Sequence, residues 1–113
     1  MRIYLRRRTM KGGRGWKSWF KRRSISHELA EQALKTGVTY ASVSLGHLGF
    51  LPGGKHLVAH DSDPPPAMLP TCVELLGDRA VLEAFVAAYA DELVDAVVVR
   101  FDGVAVSMSS DAL

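Results

Sequence analysis

Hydrophobic and polar positions alternate along Arg2-Ile3-Tyr4-Leu5, a β-rich run that predicts a short strand with Ile3 and Leu5 turned inward. The period then changes. From about Ser26 to Thr36, Leu29, Ala30, Ala33 and Leu34 recur at helical spacing and predict one apolar stripe. Ser24 or Ser26 offers its N-cap, Glu28 stands in the first turn, where negative charge suits the helix dipole, and Gly37 suits the position just past its end. A period of two returns over Tyr40–Leu45, with Ala41, Val43 and Leu45 on one face and Ser42 and Ser44 on the other. Leu69–Leu76 repeats it, Thr71, Val73 and Leu75 opposing Cys72, Glu74 and Leu76. Asp78 then caps a second helix carrying Val81, Leu82, Phe85, Val86, Tyr89 and Leu93. Ala96–Phe101 predicts a last strand, and Asp102-Gly103, a dipeptide favoured in two-residue hairpins, returns Val104–Val106 as an extra one. Residues 107–113 read as a flexible tail.

The order strand, helix, strand, strand, helix, strand predicts an α+β fold. It is that of the ferredoxin-like βαββαβ sandwich, here with a C-terminal β-hairpin extension and one domain over residues 1–106. Both helices would lie on one face of the sheet. The opposite face, carrying Tyr4, Ser42, Ser44, Cys72, Leu76 and Val98, would be bare and only moderately polar, which favours a closed symmetric oligomer.

Two connections are long for passive links. Residues 6–23 form a glycine-containing basic loop in which Trp16, Trp19 and Phe20 stand among cations. Those aromatics either anchor the loop on the core or stack on bases while the cations meet phosphates. Residues 46–66 form a second long, mobile loop, with Gly46, Gly49, Pro52, Gly53, Gly54 and the run Pro64-Pro65-Pro66.

The chain has 113 residues, 48% of them hydrophobic, and a formal net charge of only +2. That balance hides a division. The first 23 residues hold ten of the 14 basic residues and no acid, a charge of +10, so the other four basic residues and all 12 acids leave −8 behind. Such an arm suits an anionic partner: phosphate groups, nucleic acid or an acidic lipid surface. The alternative is a solvated loop facing the acidic remainder of the fold or of a neighbouring subunit. No run of apolar residues is long enough to span a membrane, and no secretory signal is expected at the start. The single Cys72 cannot form an internal disulfide, which points to a reducing, cytoplasmic setting.

Chemistry-bearing motifs are sparse. Gly49-Phe50-Leu51-Pro52-Gly53-Gly54-Lys55 is close to a phosphate-binding loop. However, His56 stands where Ser or Thr would hold magnesium, Pro52 removes an amide, and no helix is expected to follow. His47, His56, His60, Asp61 and Asp63 gather in one loop without a second cysteine or a regular element to position them, so no metal is assigned. Cys72 has no basic neighbour in sequence to activate it, and no Ser-His-acid set or carboxylate pair stands out, so no catalytic residue is assigned.

The stretch Gly37-Val38-Thr39-Tyr40-Ala41-Ser42-Val43-Ser44-Leu45-Gly46-His47-Leu48-Gly49-Phe50 resembles a family pattern, as does Leu69-Pro70-Thr71-Cys72-Val73-Glu74-Leu75 followed by a helix and a strand. Both are similar to the small PII-like proteins grouped as domain of unknown function 190. Gly46, Gly49, Phe50, Leu69, Pro70, Val73 and Glu74 match that pattern position by position, and the resemblance covers about residues 1–106. It implies a ferredoxin-like homotrimer with small-ligand clefts between subunits and a regulatory loop at residues 46–66. The neighbourhood of fluoride-exporter genes in that family implies a transporter or channel partner. The departure is residues 6–23, long and basic here where the family has a short, partly acidic segment.

These strands of reasoning give one leading expectation: a non-enzymatic regulatory protein without a cofactor. It would bind an anion, adenine nucleotides foremost, at subunit clefts and meet a partner protein through residues 46–66. The candidate ligand contacts are Gly46, His47, Gly49 and Lys55 from that loop, with Arg6, Arg8, Arg22 and Arg23 from the basic loop. The alternative is a module that applies the basic loop to nucleic acid or an acidic membrane.

Overall fold

Ile3 and Leu5 enter the interior from the first strand, β1 (Arg2–Leu5), while Arg2 remains exposed, as a period of two requires. A computed structural model describes residues 1–8, 24–62 and 65–104 of the chain. The basic residues from Lys11 to Arg23, Asp63, Pro64, the return of Ala105 and Val106, and the tail at 107–113 lie outside the described residues.

Helix α1 (Ile25–Lys35) starts where Ser24, in an extended conformation, accepts the backbone N–H of His27 on its hydroxyl. Thr36 closes it, and Gly37 follows at φ 84°, a conformation that favours glycine. The buried line on α1 is Ile25, Leu29 and Ala33. Leu34, expected in that stripe, is instead 83% exposed. One residue past Ala33 the helix has rotated by about 100°, and a helix lying on the edge of a sheet buries only a narrow stripe.

Strands β2 (Tyr40–Leu45) and β5 (Thr71–Leu76) pair antiparallel, with Val43 opposite Val73. Between them, residues 46–66 are not one irregular loop as expected. β3 (Leu48–Gly49) and β4 (Val58–Ala59) form a short antiparallel ribbon, extended by a bond from the His60 amide to the His47 carbonyl. Its tip is tightened by a turn in which the Gly54 amide bonds the Leu51 carbonyl at 2.9 Å. Pro52 and Gly53, the latter at φ 85°, occupy the two central positions that a type II turn asks of them. Leu51, which opens that turn, is buried, and so is Leu69 just past the excursion.

Helix α2 (Arg79–Ala88) follows Asp78, which takes the N-cap position without a side-chain cap bond, and it buries Leu82 and Phe85. Phe85 and Tyr89 pack with ring centroids 5.3 Å apart. The last strand, β6 (Val97–Val99), is shorter than the sequence suggests, and Phe101 lies beyond it. Val104 is 89% exposed and outside any strand, so the described residues do not contain the predicted hairpin return.

The sheet order is β2-β5-β1-β6, antiparallel at every pairing. With both helices over one face, the chain is a mixed α+β fold compatible with a ferredoxin-like arrangement. The core runs between that face and the helices, through Ile3, Leu29, Val73, Leu75, Leu82 and Phe85. One placement needs correction. Val98 is paired directly with Ile3, so it faces the helices, where it lines a cleft with Val86, and not the bare side. A run of three valines carries no polar alternation, so only the pairing register sets which of them points which way.

Candidate functional site

Two surfaces carry chemistry. The first is a cleft where the basic segment leaves and rejoins the fold. β1 continues into Arg7 and Arg8, and the Arg8 carbonyl accepts the Ile25 amide at 2.8 Å, so the two ends of the segment meet at one neck. The Arg7 amide donates to the Ala67 carbonyl at 2.9 Å, which binds this neck to the end of the 46–66 excursion. Beneath it lies a cavity of about 470 Å³. Arg7, Arg8, Ser24, Ser26 and Thr71 give it polar groups; Val43, Leu45, Pro65 and Ala67 wall it, and no acidic residue lines it among the described residues. The Ser24 and Ser26 hydroxyls are 3.2 Å apart. Thr71 Oγ1 is buried and has no hydrogen-bond partner.

The second surface is the open face of the sheet. Its rows follow from the register: Ser42, Glu74, Arg2 and Val99 in one, Ser44, Cys72, Tyr4 and Val97 in the next. The Arg2 guanidinium donates to Glu74 Oε2 at 2.9 Å and lies 5.3 Å from the centre of the Phe101 ring. Hydrogen bonding to Tyr4 and to Glu74 raises the Arg2 pKa further above its ordinary value. Desolvation pushes the Cys72 thiol up, against the lowering influence of Arg2, so this cysteine is not an activated nucleophile. Tyr40 and Leu76, paired at one corner, are large and exposed.

A larger groove of about 650 Å³ separates the helices, lined by Gln32, Thr36 and the α2 residues Ala84, Phe85, Ala88 and Tyr89. Thr36 Oγ1 already donates to the Gln32 carbonyl, and Gln32 Nε2 to Glu28 Oε1.

The residues singled out from sequence are distributed as follows. Arg8 lines the cleft. Arg6 points elsewhere, 3.8 Å from Asp95 on an exposed surface. Gly46 and Gly49 pack on Pro70, and the Gly46 amide is given to the Pro70 carbonyl at 2.8 Å, leaving it no donor for a ligand. His47 and Lys55 are exposed on the ribbon excursion. Arg22 and Arg23 lie outside the described residues. Among the described residues no three His, Cys, Asp or Glu side chains gather as a metal site. Among the described residues no helix is long and apolar enough to cross a membrane.

Sequence reasoning missed Arg7, Ser26 and Thr71 as members of one cleft. The signal for Thr71 was available: it is the one polar side chain on the inward face of β5, in line with Val73 and Leu75. The others come together only through chain reversal at the neck. No family model, no curated protein and no solved structure matches the chain.

Proposed function

We propose that this chain is a non-enzymatic regulatory protein of the ferredoxin-like, PII-like kind. It binds an anionic small molecule, adenine nucleotides being the foremost class, and presents the 46–66 excursion to a partner protein such as a transporter or channel. The observation that carries this reading is the Arg7–Ala67 bond. It ties a cleft lined by two arginines to the segment that ends the excursion, so a ligand held there biases the excursion's position. The antiparallel β2-β5-β1-β6 order, with each helix linking two strands, supports the βαββαβ assignment.

The open face supports self-association, as a trimer under the PII-like reading. Tyr40, Leu76 and Val97 are exposed there around the Arg2–Glu74 pair, and no helix covers them among the described residues. Calorimetry with a panel of adenine nucleotides on the assembled protein tests the ligand. Absence of binding to every member removes the small-molecule function. Sedimentation of Leu76→Lys tests the assembly: a smaller species than wild type is expected, and a wild-type protein that sediments as a monomer at every concentration removes it.

The +10 charge of residues 1–23 favours a second reading, a module for nucleic acid or acidic lipid. It is separated by salt. A surface making six to ten phosphate contacts loses about 10³–10⁵ in affinity between 50 and 200 mM salt, whereas a pocketed small anion is less sensitive.

A further inference from the structure

We propose that the cleft under the neck takes a phosphate group, with Thr71 Oγ1 as its buried hydrogen-bond donor and Arg7 and Arg8 as its counter-charges. This deepens the anionic-ligand reading above and rests on it.

Thr71 is 3% exposed, and its hydroxyl is unpartnered in a fold whose buried polar groups otherwise find partners in the great majority of cases. It lines the same cleft as Arg7 and Arg8. Register brings it there: Thr71 lies between Leu5 and Leu45, on the helix side of the sheet, at the end of the strands from which Arg7 and Arg8 emerge.

The start of α1 forms another wall, and the positive end of its dipole favours an anion. Its backbone donors are nevertheless largely engaged. Ile25 bonds Arg8, while His27 and Glu28 bond Ser24. Recognition therefore falls to side chains: the Thr71 and Ser26 hydroxyls and two guanidinium groups.

That set selects among anions. Two guanidinium charges balance a dianion, and their forked donors match tetrahedral oxygens. Val43, Leu45, Pro65 and Ala67 form an apolar wall beside these polar groups. A cavity of about 470 Å³ exceeds what orthophosphate fills, so the site has room for an organic group esterified to the phosphate.

The test uses the full chain, with orthophosphate and adenosine monophosphate as probes in calorimetry. Thr71→Val keeps the side-chain volume and removes the hydroxyl. It is expected to stay folded and to weaken both probes about tenfold or more, because a hydrogen bond to a charged group is lost. Arg8→Gln is expected to weaken both by a similar factor, and Thr71→Ser, which restores a hydroxyl, to recover most of the affinity. Should Thr71→Val not fold, the Thr71→Ser and Arg8→Gln pair decides the matter. Near-wild-type binding by the first with loss by the second supports the site, and unchanged binding by the second overturns it. If wild type binds a nucleotide and neither Thr71→Val nor Arg8→Gln alters its affinity, the phosphate lies elsewhere; this inference falls while the regulatory reading stands. If wild type binds no phosphate and no nucleotide, both fall. Tighter binding of the monophosphate than of orthophosphate identifies an ester as the ligand, and equal binding identifies the free ion.

Discussion

Gly46 and Pro70 are in close contact at the base of the 46–66 excursion. The Gly46 amide bonds the Pro70 carbonyl at 2.8 Å, and a Cβ on residue 46 would lie 3.0 Å from the same oxygen. Gly46→Ala must therefore push backbone against backbone. A loss of about 1–3 kcal/mol is expected, the usual range for overpacking, measured by urea unfolding. Gly49→Ala should cost less, because its Cβ would meet a proline ring carbon at 3.3 Å and not a carbonyl.

Leu29 and Leu34 stand on one helix with opposite fates. Leu29 is fully buried and touches the core, so Leu29→Ala should cost about 2–5 kcal/mol. Leu34 is in solvent, and Leu34→Ala should change stability by no more than about 0.5 kcal/mol. Equal losses at both positions in chemical denaturation would contradict the placement of α1.

The two helix starts differ in the same way. Ser24 caps α1 with its hydroxyl, so Ser24→Ala should cost about 1 kcal/mol. Asp78 makes no side-chain cap bond to α2, and Asp78→Ala should cost only the smaller dipole contribution of about 0.3–1 kcal/mol, reduced further by salt. Thermal melts of the two variants at low and high salt distinguish these cases.

Stability should fall on the alkaline side. Cys72 and Tyr89 are both raised above their ordinary values of 9.0 and 10.0, in each case mainly by desolvation. The folded chain holds these protons more tightly than the unfolded one. Their contribution is complete below the ordinary values and is lost as pH rises through the raised folded values. Urea midpoints measured from pH 8 to pH 11 should therefore decline, and Cys72→Ser should flatten the earlier part of the decline. A midpoint that rises over that range would reverse the sign.

Periodicity determined much of this molecule. The inward positions of β1 and β5, the existence of both helices, a serine cap at position 24 or 26 and the stop at Gly37 follow from local sequence, because each depends on side chains within a turn or two of one another. Tertiary structure decided the rest. Val98 faces the helices because it pairs with Ile3, a partner 95 positions away that no local pattern encodes. Leu48 and Val58 belong to a ribbon because chain reversal at Pro52-Gly53 brings weak, two-residue strands together. The cleft exists because Arg8 and Ile25 are bonded across the basic segment and Thr71 arrives from a distant strand. Local propensity acts over a few residues, whereas register and clefts depend on contacts between segments far apart in the chain, and those are settled only when the core closes.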